Sequence, residues 1–233
     1  MENMIRVGSY NIRKAIASDR RRRPDRTITV LKEVAADIFC LQEADRRFGS
    51  RFSAIPPEML QTHSPYRPVP FDVRPGSLGW HGNAILVSDR VEIIRHEHLT
   101  LPMLEPRGAV LADLSVAGTA LRVVGMHLDI SGLWRRQQIR SIMAQVATQP
   151  TQLPLVLMGD CNEWRPAGGF LHDLGPWFCS AECGPTYPAR FPLGRLDRII
   201  TGPGIEILDS GVHRSWFART ASDHLPVWAE LKL

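Results

Sequence analysis

The sequence contains little lysine. Only Lys14, Lys32 and Lys232 are lysines, so arginine supplies 25 of the 28 basic residues. The net charge of +4 favours anionic partners without singling out nucleic acid. Guanidinium groups match phosphate oxygens in geometry, but a GC-rich genome would explain the arginine bias equally well. The composition therefore permits a phosphate ligand and does not require one.

Cysteine is also scarce. A chain of 233 residues buries roughly 70% of its unfolded surface and needs no disulfide. Among the four cysteines, Cys40 lies in an apolar run and is predicted to be a buried thiol. Cys179 and Cys183 have the spacing of half a zinc site, but the sequence offers no second Cys/His pair. We expect free thiols, as in a reducing cytosol.

Long hydrophobic runs are absent. No stretch approaches the roughly 20 apolar residues of a membrane span, and the first residues contain no signal-type apolar region. Neither an internal repeat nor a linker-like change in composition divides the chain. These features predict a cytoplasmic, monomeric protein without a transmembrane segment, folded as a single domain over residues 1–233.

Short β-type runs recur along the chain, and two segments have helical periodicity. The predicted strands are Ile5–Tyr10, Ile38–Gln42, Ala84–Ser88, Val91–His98, Val110–Val116, Ala120–His127, Leu155–Gly159, Leu196–Ile200, Ile205–Ser210 and Val227–Leu231. The predicted helices are Thr27–Asp37 and Leu133–Gln149. Many strands with few helices indicate a mixed α/β protein with substantial antiparallel pairing.

Three segments have no periodicity. Gly49–Gly79 carries six prolines, and Glu163–Arg195 is rich in glycine, proline and aromatic residues. Long loops of this kind in a compact domain are usually functional or mobile. The cluster Arg20–Arg23 is predicted to lie in a solvated, disordered loop. A role in guiding phosphate is a less favoured alternative for this cluster.

Polar residues interrupt the apolar strands at their carboxyl ends, where sites are commonly built. Asn11 follows the first predicted strand, Glu43 follows the second, and His127 ends the run before Leu128. Asp160 and Asn162 end a fully apolar strand as Gly-Asp-Cys-Asn. Residues two apart share a face of an extended backbone, so these two side chains can act together.

Two later clusters complete the series. Asp197 lies in Leu-Asp-Arg-Ile, and Asp223 and His224 lie in Ser-Asp-His-Leu-Pro, where proline makes a rigid turn. Each cluster alone favours a structural explanation, such as a turn cap or a surface ion pair. Their occurrence together, in this order and nearly all at apolar strand ends, favours a catalytic site.

The series from Ser9 to Pro226 resembles the endonuclease/exonuclease/phosphatase superfamily. Its motifs are S-Y-N-I, L-Q-E, G-M-H-L, G-D-C-N, L-D-R-I and S-D-H-L-P. The resemblance covers almost the whole chain, and G-D-x-N followed by S-D-H-x-P is specific. It implies an α/β four-layer sandwich, in which two mixed β-sheets pack face to face between outer helices with the site at one rim.

The resemblance also implies a metal site and a phosphate site. Glu43 is expected to bind Mg²⁺ directly, with Asn11 near the metal or the phosphate and Asp223 joining through water; Mn²⁺ is a possible substitute. Few protein carboxylates suit Mg²⁺, which keeps several waters. Arg107 resembles the arginine that grips the scissile phosphate, and Asn83 is a second candidate for the same role.

The remaining residues are expected to carry the chemistry. Asp160 resembles the residue that activates the attacking water, and Asn162 resembles the donor that stabilises the transition state. His224 is expected to contact the phosphate while Asp197 fixes its tautomer and raises its basicity. His127 is expected to act as a second acid near the leaving group.

Departures from the family's patterns leave the substrate open. Arg13 occupies a position that is Asp in some abasic-site endonucleases, and Leu196-Asp197 lacks the neighbouring cysteine of inositol 5-phosphatases. The sequence favours a phosphodiester from nucleic acid or a lipid headgroup. A phosphomonoesterase and, less favoured, an inactive binding module on the same fold are the alternatives.

Overall fold

The computed structural model describes residues 4–46, 52–71, 76–103, 107–165 and 169–233. The strands are β1 (Met4–Asn11), β2 (Ile38–Gln42), β3 (Tyr66–Pro68), β4 (Ala84–Ser88), β5 (Val91–Leu99), β6 (Gly108–Val116), β7 (Thr119–His127), β8 (Leu155–Asp160), β9 (Cys179–Ser180), β10 (Asp197–Thr201), β11 (Glu206–Val212) and β12 (Val227–Lys232). The helices are α1 (Pro24–Val34), α2 (Pro57–His63), α3 (Gly132–Ala147) and α4 (Trp216–Ala221), and short 3₁₀ segments cover Arg13–Ala15 and Gly169–Asp173.

The strands form two mixed sheets. The first has the order β11-β12-β1-β2-β4-β3, and the second has the order β5-β6-β7-β8-β10-β9. β1 and β2 are parallel, as are β7 and β8, whereas the other pairs are antiparallel. A parallel pair needs a crossover, and α1 and α3 supply one in each sheet. Each sheet therefore has a β-α-β unit at its centre.

The two sheets pack face to face around a shared apolar core. That core includes Val7 and Ile38 from the first sheet and Val123 and Val156 from the second, all fully buried. Separate cores lie beneath α1 and α4 on one outer face and beneath α3 on the other. Helices, sheet, sheet and helices are thus the four layers, which confirms the predicted fold.

The strand predictions are confirmed to within two residues at every boundary. The helix predicted at Thr27–Asp37 instead begins at Pro24 and ends at Val34. Proline is well suited to the first turn, where its missing N–H is not needed, and Ala35 ends the helix with a φ of 52°. The second predicted helix runs over Gly132–Ala147.

The prediction of long structureless segments was wrong in part. Gly49–Gly79 contains α2 and β3, and Glu163–Arg195 contains a 3₁₀ turn and β9; residues 49–51, 72–75 and 166–168 lie outside the described residues. α4 was also missed. These elements are too short to show a period, and β3 and β9 are strands because they pair with β4 and β10, the next strands along the chain.

The disorder predicted for Arg20–Arg23 was wrong as well. Ile16 and Arg22 form an antiparallel bridge, and the Arg23 N–H donates to the carbonyl of Ala15 at 2.7 Å. The cluster is an ordered turn that leads into α1. In the described part of the chain, no helix combines the length and the apolar character needed to cross a lipid bilayer.

Candidate active site

The strand ends at one rim of the sandwich bring the predicted residues together. Asn11 ends β1, His127 ends β7 and Asp160 ends β8. The register places Asp160 beside His127 on one side and beside Asp197, the first residue of antiparallel β10, on the other. The Asn11 amide donates to Asp160 Oδ2 at 2.9 Å and joins the two sheets at this point. Asp160 therefore lies at the centre of the site.

The Asp160 carboxylate is held by neutral donors. Oδ2 accepts from Asn11, and Oδ1 accepts from the Asn162 N–H at 3.0 Å. Asn162 turns the chain sharply with a φ of 48°, and its side-chain amide donates to the Leu128 carbonyl at 2.9 Å. A Cβ on Gly159 would lie 1.8 Å from the Met126 carbonyl oxygen, so only glycine permits this approach of β8 to β7. The carboxylate is thus fixed by both strand ends.

A histidine–aspartate pair lies on one side of Asp160. His224 Nδ1 is 2.8 Å from Asp197 Oδ2, and its Nε2 is 3.7 Å from Asp160 Oδ2. Burial acts to lower the pKa of His224, but the carboxylates of Asp197 and Asp160 outweigh it and raise that pKa to about 10. The imidazole is therefore a cation at neutral pH, with Nδ1 directed at Asp197 Oδ2.

A second histidine lies on the other side and carries no charge. His127 Nε2 is 3.4 Å from Asp160 Oδ2 and also contacts the Arg107 guanidinium. Burial lowers the pKa of His127 to about 3, against the Asp160 charge and with help from Arg107. Because a guanidinium only donates, Nε2 accepts from Arg107 and the ring proton is on Nδ1. In this state His127 orients Arg107 and has no proton at Nε2 to donate as the expected second acid.

Two of the three residues predicted to bind metal, Glu43 and Asp223, lie on a more exposed side of the rim, whereas Asn11 is buried against Asp160. Glu43 directly follows β2 with a φ of 52°, and its carboxylate forms an ion pair with Lys14. Asp223 Oδ2 is 3.2 Å from Arg13 Nε. The side chains of Glu43 and Asp223 are 27% and 32% exposed, against 2% for Asp160. This side is wetter, and each carboxylate faces a cation.

A strained turn places these cations. Arg13, Lys14 and Ala15 have φ values of 47°, 56° and 54°, a left-handed conformation that costs non-glycine residues roughly 1–2 kcal/mol each. The turn is tied to the end of β2 because the Lys14 N–H donates to the Glu43 carbonyl at 3.0 Å. Such strain persists only where the surroundings enforce it, and it is common at functional sites.

The side chains at this rim offer two kinds of metal donor set. Within the described residues, donor atoms of Asp160, Asp197 and His224 come within 4.8 Å of one another. Asp197 Oδ2, however, already accepts from His224 and from the Thr186 hydroxyl at 2.6 Å, an arrangement that suits proton transfer better than metal binding. The oxygen donors of Glu43, Asp223 and Asn11 fit a hard divalent cation in their chemistry. Lys14 and Arg13 already place positive charge beside the carboxylates of Glu43 and Asp223.

Asn83 does not present a donor to the rim. Its amide N–H groups donate to the backbone carbonyls of Gly108 at 2.9 Å and Trp80 at 3.4 Å, and its buried Oδ1 has no hydrogen-bond partner among the residues that the structure describes. An oxygen acceptor does not bind phosphate oxygens. Because Gly108 follows Arg107, Asn83 fixes the segment that carries Arg107. It is better placed to position that arginine than to bind phosphate itself.

Sequence reasoning missed four residues that complete the site. Lys14 and Arg13 contact the predicted metal ligands. Thr186 donates to Asp197, and the Tyr187 ring packs on the His224 ring with centroids 4.9 Å apart. Thr186 and Tyr187 lie in a segment without periodicity, so no pattern distinguished them. For Lys14 the only signal was its rarity, since it is one of three lysines.

Comparison with curated proteins gives relatives without an assigned activity. The chain is 30% identical over 164 residues to the uncharacterized protein YbhP of Escherichia coli strain K12, covering 66% of this chain and 64% of that protein. The uncharacterized protein YbhP of Shigella flexneri matches to the same extent. The chain thus spans slightly less than two thirds of the curated relatives that it matches.

Solved structures share the fold across nearly the whole chain. An endonuclease/exonuclease/phosphatase from Bacteroides vulgatus has a TM-score of 0.78 at 20% identity, covering 99% of both chains. TDP2 from D. rerio, complexed with a single-strand DNA product, has a TM-score of 0.76 at 16% identity and 100% coverage of both. A mannosyl-6-phosphatase from Bacteroides thetaiotaomicron has a TM-score of 0.75 at 20% identity, covering 98% of this chain and 100% of that one.

The sequence model of the Endonuclease/Exonuclease/phosphatase family matches residues 8–224 of the chain. That range includes the residues that converge at the rim, from Asn11 to His224. The chain therefore belongs to the endonuclease/exonuclease/phosphatase family.

Proposed function

We propose that this protein hydrolyses a phosphate ester, and most favourably a phosphodiester, with Mg²⁺ as the metal and Mn²⁺ as a possible substitute. The observation that carries the proposal is the environment of Asp160. Its carboxylate is buried, held by neutral donors from Asn11 and Asn162, and flanked by a cationic His224. A fixed base beside a fixed cation is what in-line attack of water on phosphorus requires.

Asp160 is the proposed base. The water oxygen attacks phosphorus, its proton passes to Asp160, and the bond from phosphorus to the leaving oxygen breaks. The Asn162 side chain is committed to the Leu128 carbonyl through one N–H, which leaves the other for a phosphoryl oxygen. We therefore keep for Asn162 the role of stabilising the transition state, while its backbone N–H holds Asp160.

His224 and Arg107 are the proposed phosphate contacts. Protonated His224 keeps Nδ1 on Asp197 and offers Nε2–H to a phosphoryl oxygen. Arg107 supplies a further guanidinium, held in place by neutral His127. Two histidines with pKa values pushed in opposite directions give one cation and one neutral acceptor around a single carboxylate.

Glu43, Asp223 and Asn11 are the proposed holders of the divalent cation. When bound, Mg²⁺ supplies positive charge that polarises a phosphoryl oxygen and stabilises the leaving oxygen. A metal bound at Glu43 would require Lys14 to move away from the carboxylate, because the metal and the ammonium group compete for the same oxygens. Lysine is long and flexible, so this exchange costs little structure.

A phosphomonoesterase is the second candidate. A mannosyl-6-phosphatase shares the fold, and a dianionic monoester would suit the extra positive charge of Arg13 and Lys14 at the rim. The diester partner would be nucleic acid or a phospholipid headgroup. An inactive binding module is disfavoured because the base, the histidine–aspartate pair and the acidic ligands are all present.

Hydrolysis assays test the proposal. The panel is plasmid DNA, single-stranded DNA, an abasic-site duplex, sphingomyelin, bis(4-nitrophenyl) phosphate and 4-nitrophenyl phosphate, each with Mg²⁺ and with EDTA. Asp160→Asn should lose about 10²–10⁴-fold in kcat at an unchanged Tm. Asp173→Asn is the matched control, since Asp173 is paired at the surface with Arg136 and Arg140 at 2.7 Å. Full activity in Asp160→Asn would falsify the proposed base.

A further inference from the structure

A buried arginine joins the two loops that leave the rim beside Asp160. Arg135, near the start of α3, is 7% exposed. Its Nη1 donates to the backbone carbonyls of Ile130 at 2.7 Å and Asp129 at 3.3 Å, in the loop after β7. Its Nη2 donates to Glu163 Oε2 at 3.0 Å, in the loop after β8. Because β7 and β8 are parallel neighbours, one guanidinium fixes the spacing between the chain segments that follow them.

The partner carboxylate is buried as well. Glu163 is 3% exposed, and its other oxygen, Oε1, accepts from the Arg165 backbone N–H at 3.1 Å. Moving two charges out of water costs free energy that their attraction offsets only when the geometry is good, so a buried ion pair is weak evidence for stability. Arg135 and Glu163 instead supply directional hydrogen bonds that hold two loops in one arrangement. This directionality suits a positioning role.

Asn162 is held between the same two loops. It directly precedes Glu163, and its side-chain amide donates to the carbonyl of Leu128 at 2.9 Å. Leu128 directly precedes Asp129, whose own carbonyl accepts from Arg135. The chain neighbours of Asn162 and of its acceptor are thus the two groups that the guanidinium joins. A change in that spacing would alter the direction of the amide N–H that remains for a phosphoryl oxygen.

We propose that Arg135 and Glu163 are positioning residues, which aim the Asn162 amide at the transition state by fixing the distance between the loops after β7 and β8. The proposal rests on the proposed phosphate-ester hydrolysis and deepens it, since it assigns the support of one catalytic donor. Both residues act through Asn162, because their charged groups are directed at each other and at the backbone. Catalytic hydrogen bonds lose much of their effect when displaced by about 1 Å, so this support should affect kcat.

A second buried ion pair in the same protein provides a matched control. Arg122 donates to the two carboxylate oxygens of Asp113 at 2.7 and 2.9 Å, and both residues are buried. The pair joins β6 to β7 well inside the sheet, several registered residue pairs from Gly108 and His127 at the rim. Its removal should therefore report the loss of a buried ion pair without a change at Asn162.

Matched neutral variants test the proposal by steady-state kinetics with bis(4-nitrophenyl) phosphate. Glu163→Gln and Asp113→Asn each keep the shape of a buried side chain and remove its charge, so both should lower Tm. Only Glu163→Gln should also reduce kcat about tenfold, with KM within about twofold of wild type, because a group that acts in the transition state changes kcat alone. Arg135→Lys should retain more of kcat than Arg135→Met, since its ammonium group still donates. An equal decrease of kcat in Asp113→Asn would overturn the proposal.

A double-mutant cycle measures whether the pair acts through Asn162. In the Asn162→Ala background, Glu163→Gln should change kcat less than about twofold, because the amide that Glu163 positions is already absent. Independent effects would instead multiply. A loss of about tenfold that persists in this background would overturn the positioning role.

Hydrogen exchange distinguishes failure of this role from failure of the proposed function. The Asn162 backbone N–H donates to Asp160 Oδ1 at 3.0 Å, and its exchange rate can be measured by NMR in EDTA without substrate. The rate should rise about fivefold more in Glu163→Gln than in Asp113→Asn. If wild type hydrolyses no substrate in the panel, the proposed function fails while the exchange rates still decide the role of the pair. Equal rates in the two variants would overturn that role.

Discussion

The carboxylates of Asp160 and Glu43 lie at the carboxyl ends of β8 and β2, central strands of the two sheets, and their surroundings differ. Asp160 ends β8 with 2% of its side chain exposed and accepts hydrogen bonds from the amides of Asn11 and Asn162. Glu43 follows β2 with 27% of its side chain exposed and faces the ammonium group of Lys14. Asp160 is the last residue of its strand and Glu43 directly follows the last residue of its own, so the difference comes from the neighbouring side chains.

The difference separates two tasks. Neutral amide donors fix the position of Asp160, and the cation beside it is the buried imidazolium of His224, whose Nε2 is 3.7 Å from Oδ2. Fixed donors and a fixed cation are the preorganisation that a base needs. The flexible side chain of Lys14 neutralises Glu43 and can move away, which suits a carboxylate that exchanges the ammonium group for a metal cation. We infer that the buried half of the rim carries out proton transfer and the wetter half binds the metal.

The largest effect is expected on the buried half. His224→Gln removes the cation beside Asp160 and should reduce kcat about 10²–10⁴-fold at an unchanged magnesium requirement. His213→Gln is the matched control, because His213 forms an exposed contact with Glu33 at 2.8 Å. Steady-state kinetics with bis(4-nitrophenyl) phosphate measures both. A loss below threefold would remove His224 from the chemistry.

Activity lost through a substitution on the wetter half of the rim should be restored by excess Mg²⁺. Glu43→Gln should raise the Mg²⁺ concentration for half-maximal activity about tenfold or more, with kcat restored at saturation, because an amide is a weaker ligand than a carboxylate. Glu230→Gln, which breaks the surface ion pair with Arg6, is the control. A kcat that excess Mg²⁺ does not restore would contradict the separation of tasks.

Lys14→Met sharpens the same comparison with the opposite sign. Removal of the competing ammonium should lower the Mg²⁺ dissociation constant severalfold, measured by calorimetry without substrate. Lys32→Met, on the exposed side of α1, serves as the matched control. Weaker Mg²⁺ binding in Lys14→Met would mean that Lys14 supports the metal site instead of competing for it.

A smaller effect is expected at Thr186, which donates to the aspartate that holds His224. Thr186→Val removes the hydroxyl that donates to Asp197 Oδ2 and should lower kcat about fivefold with little change in KM. Thr186→Ser, which keeps the hydroxyl, should restore most of it. Thr29→Val, which loses an exposed bond to the Asp25 carbonyl, is the control. An equal decrease in Thr186→Ser would make the effect one of packing.

The smallest effect concerns stability and pH in the metal-free protein. The pKa of His224 is raised from 6.5 to about 10 on folding. Its stabilisation is therefore complete below pH 6.5 and lost as pH rises through 10. Urea unfolding in EDTA should show the difference in free energy between wild type and His224→Gln shrinking over that range. A difference that grows with pH would reverse the assigned charge.

The positions of several site residues could be predicted because these residues lie at the ends of recognisable strands. Asn11, His127, Asp160 and Asp197 end or begin strands whose alternation or apolar character is visible in the sequence, so their position at one rim could be predicted. Their contacts depend on register between sheets, which sequence patterns do not specify. The neutral state of His127 is of this kind, because it depends on burial and on contact with Arg107.

The missed residues share a physical cause. Thr186 and Tyr187 contact Asp197 and His224 across 11 or more positions of sequence, from a segment without a period. The left-handed turn at Lys14 contains no glycine to mark it. The cluster Arg20–Arg23 was predicted to be disordered because a run of like charges is usually solvated, whereas backbone hydrogen bonds to Ala15 and Ala17 hold it in place.

The sequence by itself determined the four-layer α/β fold, the family and the residue types of the site, because apolar periodicity and polar strand ends are local features. Only the tertiary structure decided how those residues share their protons and charges. Burial and distance set the opposite states of His224 and His127, and the pairing of Glu43 with Lys14 arises where the end of β2 meets a strained turn. Electrostatic energies depend on separation in space, which only the folded chain defines.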